Sequence, residues 1–119
     1  MADLTRQDVI KILAVTASAR LAGVDLSGLD LHGLNFAGAD LIRANLSGTD
    51  LSNTYMRGAS LELADLEGAL LVGANLKEAN LKNANLRSAE LSNANLTDTN
   101  LYLANLQGAK LDGTVGMAR

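Results

Sequence analysis

The chain has 119 residues, of which 48% are hydrophobic but only 3% aromatic, with no cysteine, proline or tryptophan. It is long enough for one domain with an aliphatic core, and it excludes disulfides, thiol nucleophiles and thiolate metal sites. The formal net charge of −3 argues against general affinity for nucleic acid, and no apolar run of about 18 residues is present to cross a membrane.

The first predicted element is a helix over residues 5–20. Thr5 followed by Asp8 makes a capping-box-like pair, and Leu4 and Val9 stand where a hydrophobic staple belongs. Val9, Ile12, Leu13 and Thr16 trace one helical face, and Gly23 offers a stop. The acids near the start and Lys11 within the short apolar stretch are unlike a signal peptide. The expected location is the cytoplasm.

From residue 19 onward one pattern governs the chain. Taking every fifth position from 21 to 111, 17 of 19 residues are Leu, and the exceptions are Phe36 and Met56. Two residues earlier, 13 of 19 are Ala and three are Thr (Thr49, Thr54, Thr99); one residue earlier, 13 of 19 are Asp or Asn. Two residues after the Leu, ten positions are Gly. Residues two apart on an extended chain face the same side, so Ala and Leu point inward and the Asp or Asn between them points outward. Gly suits the corner because some tight turns need φ > 0. Each unit is therefore a very short strand plus a turn. It buries nothing alone, so successive coils must stack into a solenoid. The Asp and Asn are expected to bond along their columns and to nearby backbone.

The run of A-(D/N)-L-x-x units resembles the pentapeptide repeat family, over about four-fifths of the chain, and points to a small cyanobacterial member. The resemblance implies an all-β solenoid, a right-handed quadrilateral β-helix with four pentapeptides per coil and between four and five coils. At about 4.8 Å per coil the tower would stand roughly 22 Å tall. Residues 20 apart would then share a column, which places Phe36 and Met56 together. Leu66 and Leu86 are expected in the middle of the core. The small-residue register is large only at Val24, Leu29 and Leu34, so the first coil must be wider or differently capped. The expected boundaries are a helical cap over 1–22, the β-helix over 23–115 and a tail over 116–119, with the helix covering the open edge of the first coil.

No catalytic constellation is present. His32, the only histidine, falls in the outward register and reads as a surface residue; the glycines are turn residues, not a phosphate loop. No Thr array suited to ice is seen. The expectation is thus a non-enzyme with no catalytic residue, no metal and no cofactor. It is read as a rigid scaffold that contacts an unidentified protein partner, with no direct nucleic-acid or membrane binding. The expected state is a monomer, with an end-to-end dimer as the alternative.

Two surface features stand out. Outward and corner positions of one face carry Ile42, Leu63, Tyr102 and Leu103, a candidate partner patch with Asn83 between the two leucines. Acidic residues are concentrated in residues 21–70, with two basic and seven acidic groups, and Asp25 and Asp65 share one column while Asp30, Asp50 and Glu90 share the next. The resemblance brings in the alternative reading, a DNA-mimicking inhibitor or protector of a type II topoisomerase (DNA gyrase). The chain departs from those members in having no inserted loops, and KLDGTVGMAR resembles no dimerisation module.

Overall fold

Each five-residue unit has five backbone N–H groups, and they divide among four kinds of partner. The Leu N–H and the N–H two residues later donate to carbonyls 19 residues ahead: Leu21 to Asp40 at 2.8 Å, Gly23 to Ile42 at 2.9 Å. The residue before the Leu donates in the other direction, as Asp40 does to the Ala19 carbonyl at 2.8 Å. The residue three after the Leu closes a β-turn, as Ala44 does onto the Leu41 carbonyl at 3.0 Å. That leaves the N–H directly after the Leu, which the ladder does not serve. An Asp or Asn side chain two residues earlier accepts it, as in Ser27 to Asp25 and Lys82 to Asn80, both 3.0 Å. All thirteen Asp and Asn at this register make that bond. It is the Asx turn these residues favour. A bond along a column also occurs, from Asn85 Nδ2 to Asp65 Oδ1 at 3.2 Å.

The computed structural model describes residues 4–15 and 18–117. Sixteen parallel bridges join residues 20 apart, from Arg20↔Asp40 to Asn95↔Val115, in four columns of five residues. Four units therefore complete one coil, and the fold is a right-handed quadrilateral β-helix. The ladder begins at Arg20, ahead of the boundary read at residue 23.

The core follows the register. Every Leu of the series from Leu21 to Leu96 is buried, and Phe36 and Met56 lie inside at 1% and 0% exposure. Leu66 and Leu86 are closed off at 1% and 0%. Thr49 and Thr54 replace Ala without an unpaired hydroxyl: their Oγ1 atoms donate to the Leu46 and Leu51 carbonyls at 2.6 and 2.8 Å. Among the described residues no buried side-chain polar atom lacks a partner.

The corner residue has φ between 56° and 75° in all nineteen turns, ten of them Gly and nine not. At Gly73 a second constraint applies, because an added Cβ would meet the Oδ1 of Asn53 in the coil before it.

The helix α1 spans Arg6–Val15, shorter than the 5–20 read from its pattern. The reason lies in the ladder: the Ala19 carbonyl and the Leu21 N–H already pair with Asp40, so this segment is committed to the first coil. Gly23 is accordingly the corner of the first turn at φ 70° and not a helix stop. Thr16 lies outside the described residues. The capping box is present, with Asp8 N–H to Thr5 Oγ1 at 3.2 Å and Thr5 N–H to Asp8 Oδ2 at 2.9 Å. Val9 is fully buried, and Leu4, Ile12 and Leu13 pack against the core together with Val24, Leu29 and Leu34. Arg6 ties the helix down by donating to the Asp30 carbonyl at 2.9 Å and the His32 carbonyl at 3.3 Å. No helix among the described residues is long and apolar enough to cross a membrane.

Two outcomes follow from this packing. Leu66→Ala or Leu86→Ala should each lower stability by about 2–5 kcal/mol in chemical denaturation, because neighbours held in register cannot collapse into the cavity; no loss in either variant would place these residues outside the core. Deleting residues 1–18 should uncover Val24, Leu29 and Leu34 and produce association visible by light scattering, whereas an equally stable monomer would show that α1 is no cap.

Candidate protein-docking face

One face is built from the units centred on Leu41, Leu61, Leu81 and Leu101, whose ladder runs Arg20, Asp40, Ser60, Asn80, Asn100. Because each strand is three residues long, the residue after the Leu and the corner residue are the ones that project. Tyr102 is 64% exposed, Leu103 65% and Leu63 43%. Ile42 is half-buried, as are Glu62 and Lys82 at the same register, so the expected patch of four is an exposed group of three. Leu63, Asn83 and Leu103 form one corner column, held by Leu63 N–H to the Lys82 carbonyl at 3.0 Å and Asn83 N–H to the Tyr102 carbonyl at 2.9 Å.

The backbone at this column is left-handed, as it is at every corner, including those of Arg43, Glu78 and Ser88. Leu63 has φ 62° and Leu103 φ 60°. The left-handed region costs an ordinary residue about 1–2 kcal/mol, and Gly and Asn are the residues that visit it readily. Asn53, Asn83 and Asn93 fit that preference. Two leucines at such corners gain no full burial in return. The sequence register marked these positions as corners, but it did not show that leucine would keep the glycine conformation there.

Other features lie off this face. Tyr55, 58% exposed, stands in the column of Asn35 and Asn75, where its register alone marks it only as outward. A cavity of about 460 Å³ near the last coil is lined by Leu96, Leu101, Tyr102, Leu106 and Met117 among others, so Tyr102 borders both the face and this hollow.

The acidic columns are partly answered from within the chain. Hydrogen bonds from the Ser27 hydroxyl and N–H hold the Asp25 carboxyl below the ordinary carboxylate range. The side-chain and N–H bonds of His32 do the same for Asp30, with Arg6 also nearby. Asp65 accepts from Asn85, and Glu90 faces Lys110 at 3.6 Å. His32 is exposed, as its register implies, but its Nδ1 lies 2.5 Å from Asp30 Oδ1. The face carrying Leu63 and Leu103 offers an apolar stripe on a rigid frame, and it holds no charge relay or nucleophile among the exposed residues named above.

Replacing Leu103 with Asn, which tolerates the left-handed region, should leave the fold intact and raise stability by about 0.5–1 kcal/mol. Thermal or chemical melting checks this, and a clear loss of stability would mean that Leu103 is held by packing.

The chain matches the family model for pentapeptide repeats (8 copies) over residues 19–58, 59–98 and 79–115. No curated protein matches it. Among solved structures it is similar to a pentapeptide repeat protein of the Arabidopsis thaliana thylakoid lumen, with 35% identity and a TM-score of 0.72 over 74% of this chain and 61% of that one. It is also similar to HetL of the cyanobacterium Nostoc sp. strain PCC 7120, a pentapeptide repeat protein involved in heterocyst differentiation regulation. There the identity is 35% and the TM-score 0.60, over 81% of this chain and 52% of that one. The chain thus spans less than two thirds of the length of either. The plasmid-mediated fluoroquinolone resistance protein QnrB1 matches at 24% identity and a TM-score of 0.48, over 80% of this chain and 59% of that one, too distant to bear on function.

Proposed function

The chain belongs to the pentapeptide repeat family, and from that premise we propose that it is a non-catalytic scaffold whose face carrying Leu63, Tyr102 and Leu103 docks on a protein partner. The observation that carries this reading is the exposed apolar pair Leu63 and Leu103 in one corner column. Arg43, Glu78 and Ser88 share the corner conformation, so what sets Leu63 and Leu103 apart is that they expose apolar side chains in a single column. Tyr102 beside them adds a side chain that is apolar with one polar end, of the kind enriched at interfaces. HetL, to which the chain is similar, is involved in heterocyst differentiation regulation, and a regulatory role is in keeping with a non-catalytic scaffold.

A topoisomerase-directed DNA mimic needs ladders of unneutralised negative charge. Here Asp30 and Glu90 have basic neighbours, and Asn alternates with Asp at positions 25, 45, 65 and 85. The docking reading therefore leads.

The test uses the triple substitution Leu63→Asn, Tyr102→Ser and Leu103→Asn in pull-downs from the native host. The variant should melt at or above the wild-type temperature and lose at least tenfold of whatever partner the wild type captures. Unchanged capture by a well-folded variant would overturn the assignment of this face. Inhibition or protection of DNA gyrase by the same variant in a supercoiling assay would favour the topoisomerase reading instead.

A further inference from the structure

At the cap end of the tower two aspartates are direct bridge partners in adjacent coils, Asp30 and Asp50. Like charges placed opposite one another in a ladder destabilise it. Elsewhere in the same column the chain supplies a cation, since Glu90 is followed by Lys110 at 3.6 Å. Here Arg6 approaches Asp30 alone, at 3.6 Å, and its stronger hydrogen bonds go to the backbone carbonyls of Asp30 and His32. Asp50 has no basic partner among the described residues; its Oδ1 accepts the Ser52 N–H. The third member is not acidic. His32 projects beside Asp30, and one donor atom from each of Asp30, His32 and Asp50 lies within 4.8 Å of the others.

We propose that Asp30, His32 and Asp50 form a binding site for one divalent transition-metal ion of the zinc class, fastening the first coil to the second beside the capping helix. The donor set is one imidazole nitrogen and two carboxylate oxygens. That set suits Zn²⁺, Co²⁺ or Ni²⁺, whereas Mg²⁺ and Ca²⁺ prefer all-oxygen surroundings. The positions are held by the ladder itself: Leu31 N–H donates to the Asp50 carbonyl at 2.8 Å and Asp50 N–H to the Leu29 carbonyl at 2.9 Å. The metal therefore meets donors whose backbone is already ordered. Asp30 Oδ1 and His32 Nδ1 already lie 2.5 Å apart, and the metal takes the place of that contact. On binding, the metal displaces the Arg6 ion pair at 3.6 Å, while the two Arg6 bonds to carbonyls keep the helix seated.

The chain holds a single histidine, which gives the experiment a clean reporter. Protein prepared without a histidine tag is titrated with ZnCl₂ by calorimetry and by NMR of the one imidazole. The expected result is one saturable equivalent, a shift of the His32 ring signals and a raised melting temperature, with no response to MgCl₂. His32→Ala and Asp50→Asn should each weaken binding by more than about tenfold, while leaving the metal-free melting temperature within a few degrees of wild type. Absence of saturable binding overturns the site, as does binding that Asp50→Asn leaves unchanged.

Discussion

A unit of five residues with a three-residue strand cannot satisfy its own backbone, and the rest of the molecule depends on how that is resolved. Three of its five N–H groups find carbonyls only in a neighbouring coil. Coils must therefore stack at a spacing of 20 residues, with no slip, because a slip of one residue would turn every Leu outward. The fourth N–H closes the turn and the fifth is taken by the Asp or Asn side chain. The two most obvious features of the composition, abundant Leu and abundant Asx, thus answer two different demands. One fills the axis and the other completes the hydrogen bonding of the turn.

This division of labour explains what the sequence discloses. Inward Leu and Ala are legible because burial imposes identity: only small side chains fit beside a narrow axis, and Thr49 and Thr54 pass because each hydroxyl reaches a carbonyl three residues back. The shared column of Phe36 and Met56 follows once residues 20 apart are stacked. The end of α1 is harder to see. Helical periodicity continues past Val15 in the sequence, but the Ala19 and Leu21 backbone pairs with Asp40, a residue some twenty positions distant. The trace of that competition is Ala19 and Leu21, which open the five-residue register inside the stretch read as the helical cap.

The surface is less legible for the same reason that it is free to vary. Ile42 occupies an outward register yet is half-buried, and Glu62 and Lys82 at the same register of this face are half-buried too, so outward does not mean fully exposed. Leu63 and Leu103 look like ordinary corner substitutions until their φ angles are seen. The grouping of His32 with Asp30 and Asp50 combines a separation of two residues with one of twenty, and it emerges only when both are placed on the same tower. The cap is more transparent, because Thr5 and Asp8 recognise each other within one turn of helix.

The direction of the ladder bonds has a consequence for the field around the tower. In each unit two of the three inter-coil bonds have their donor in the earlier coil and their acceptor in the later one, and one runs the opposite way. Two peptide groups therefore point their N–H toward the last coil for each one that points back. With roughly 3.5 D per peptide, about one dipole in every five residues is left uncancelled, and these align along the axis. Among the described residues the only helix is α1, so no helix dipole runs along the four faces to oppose this polarity. The rod is thus electrically polar, with its positive pole at the late coils near Leu101 and its negative pole beneath the capping helix, so a charged molecule approaching from solution meets two chemically unlike ends.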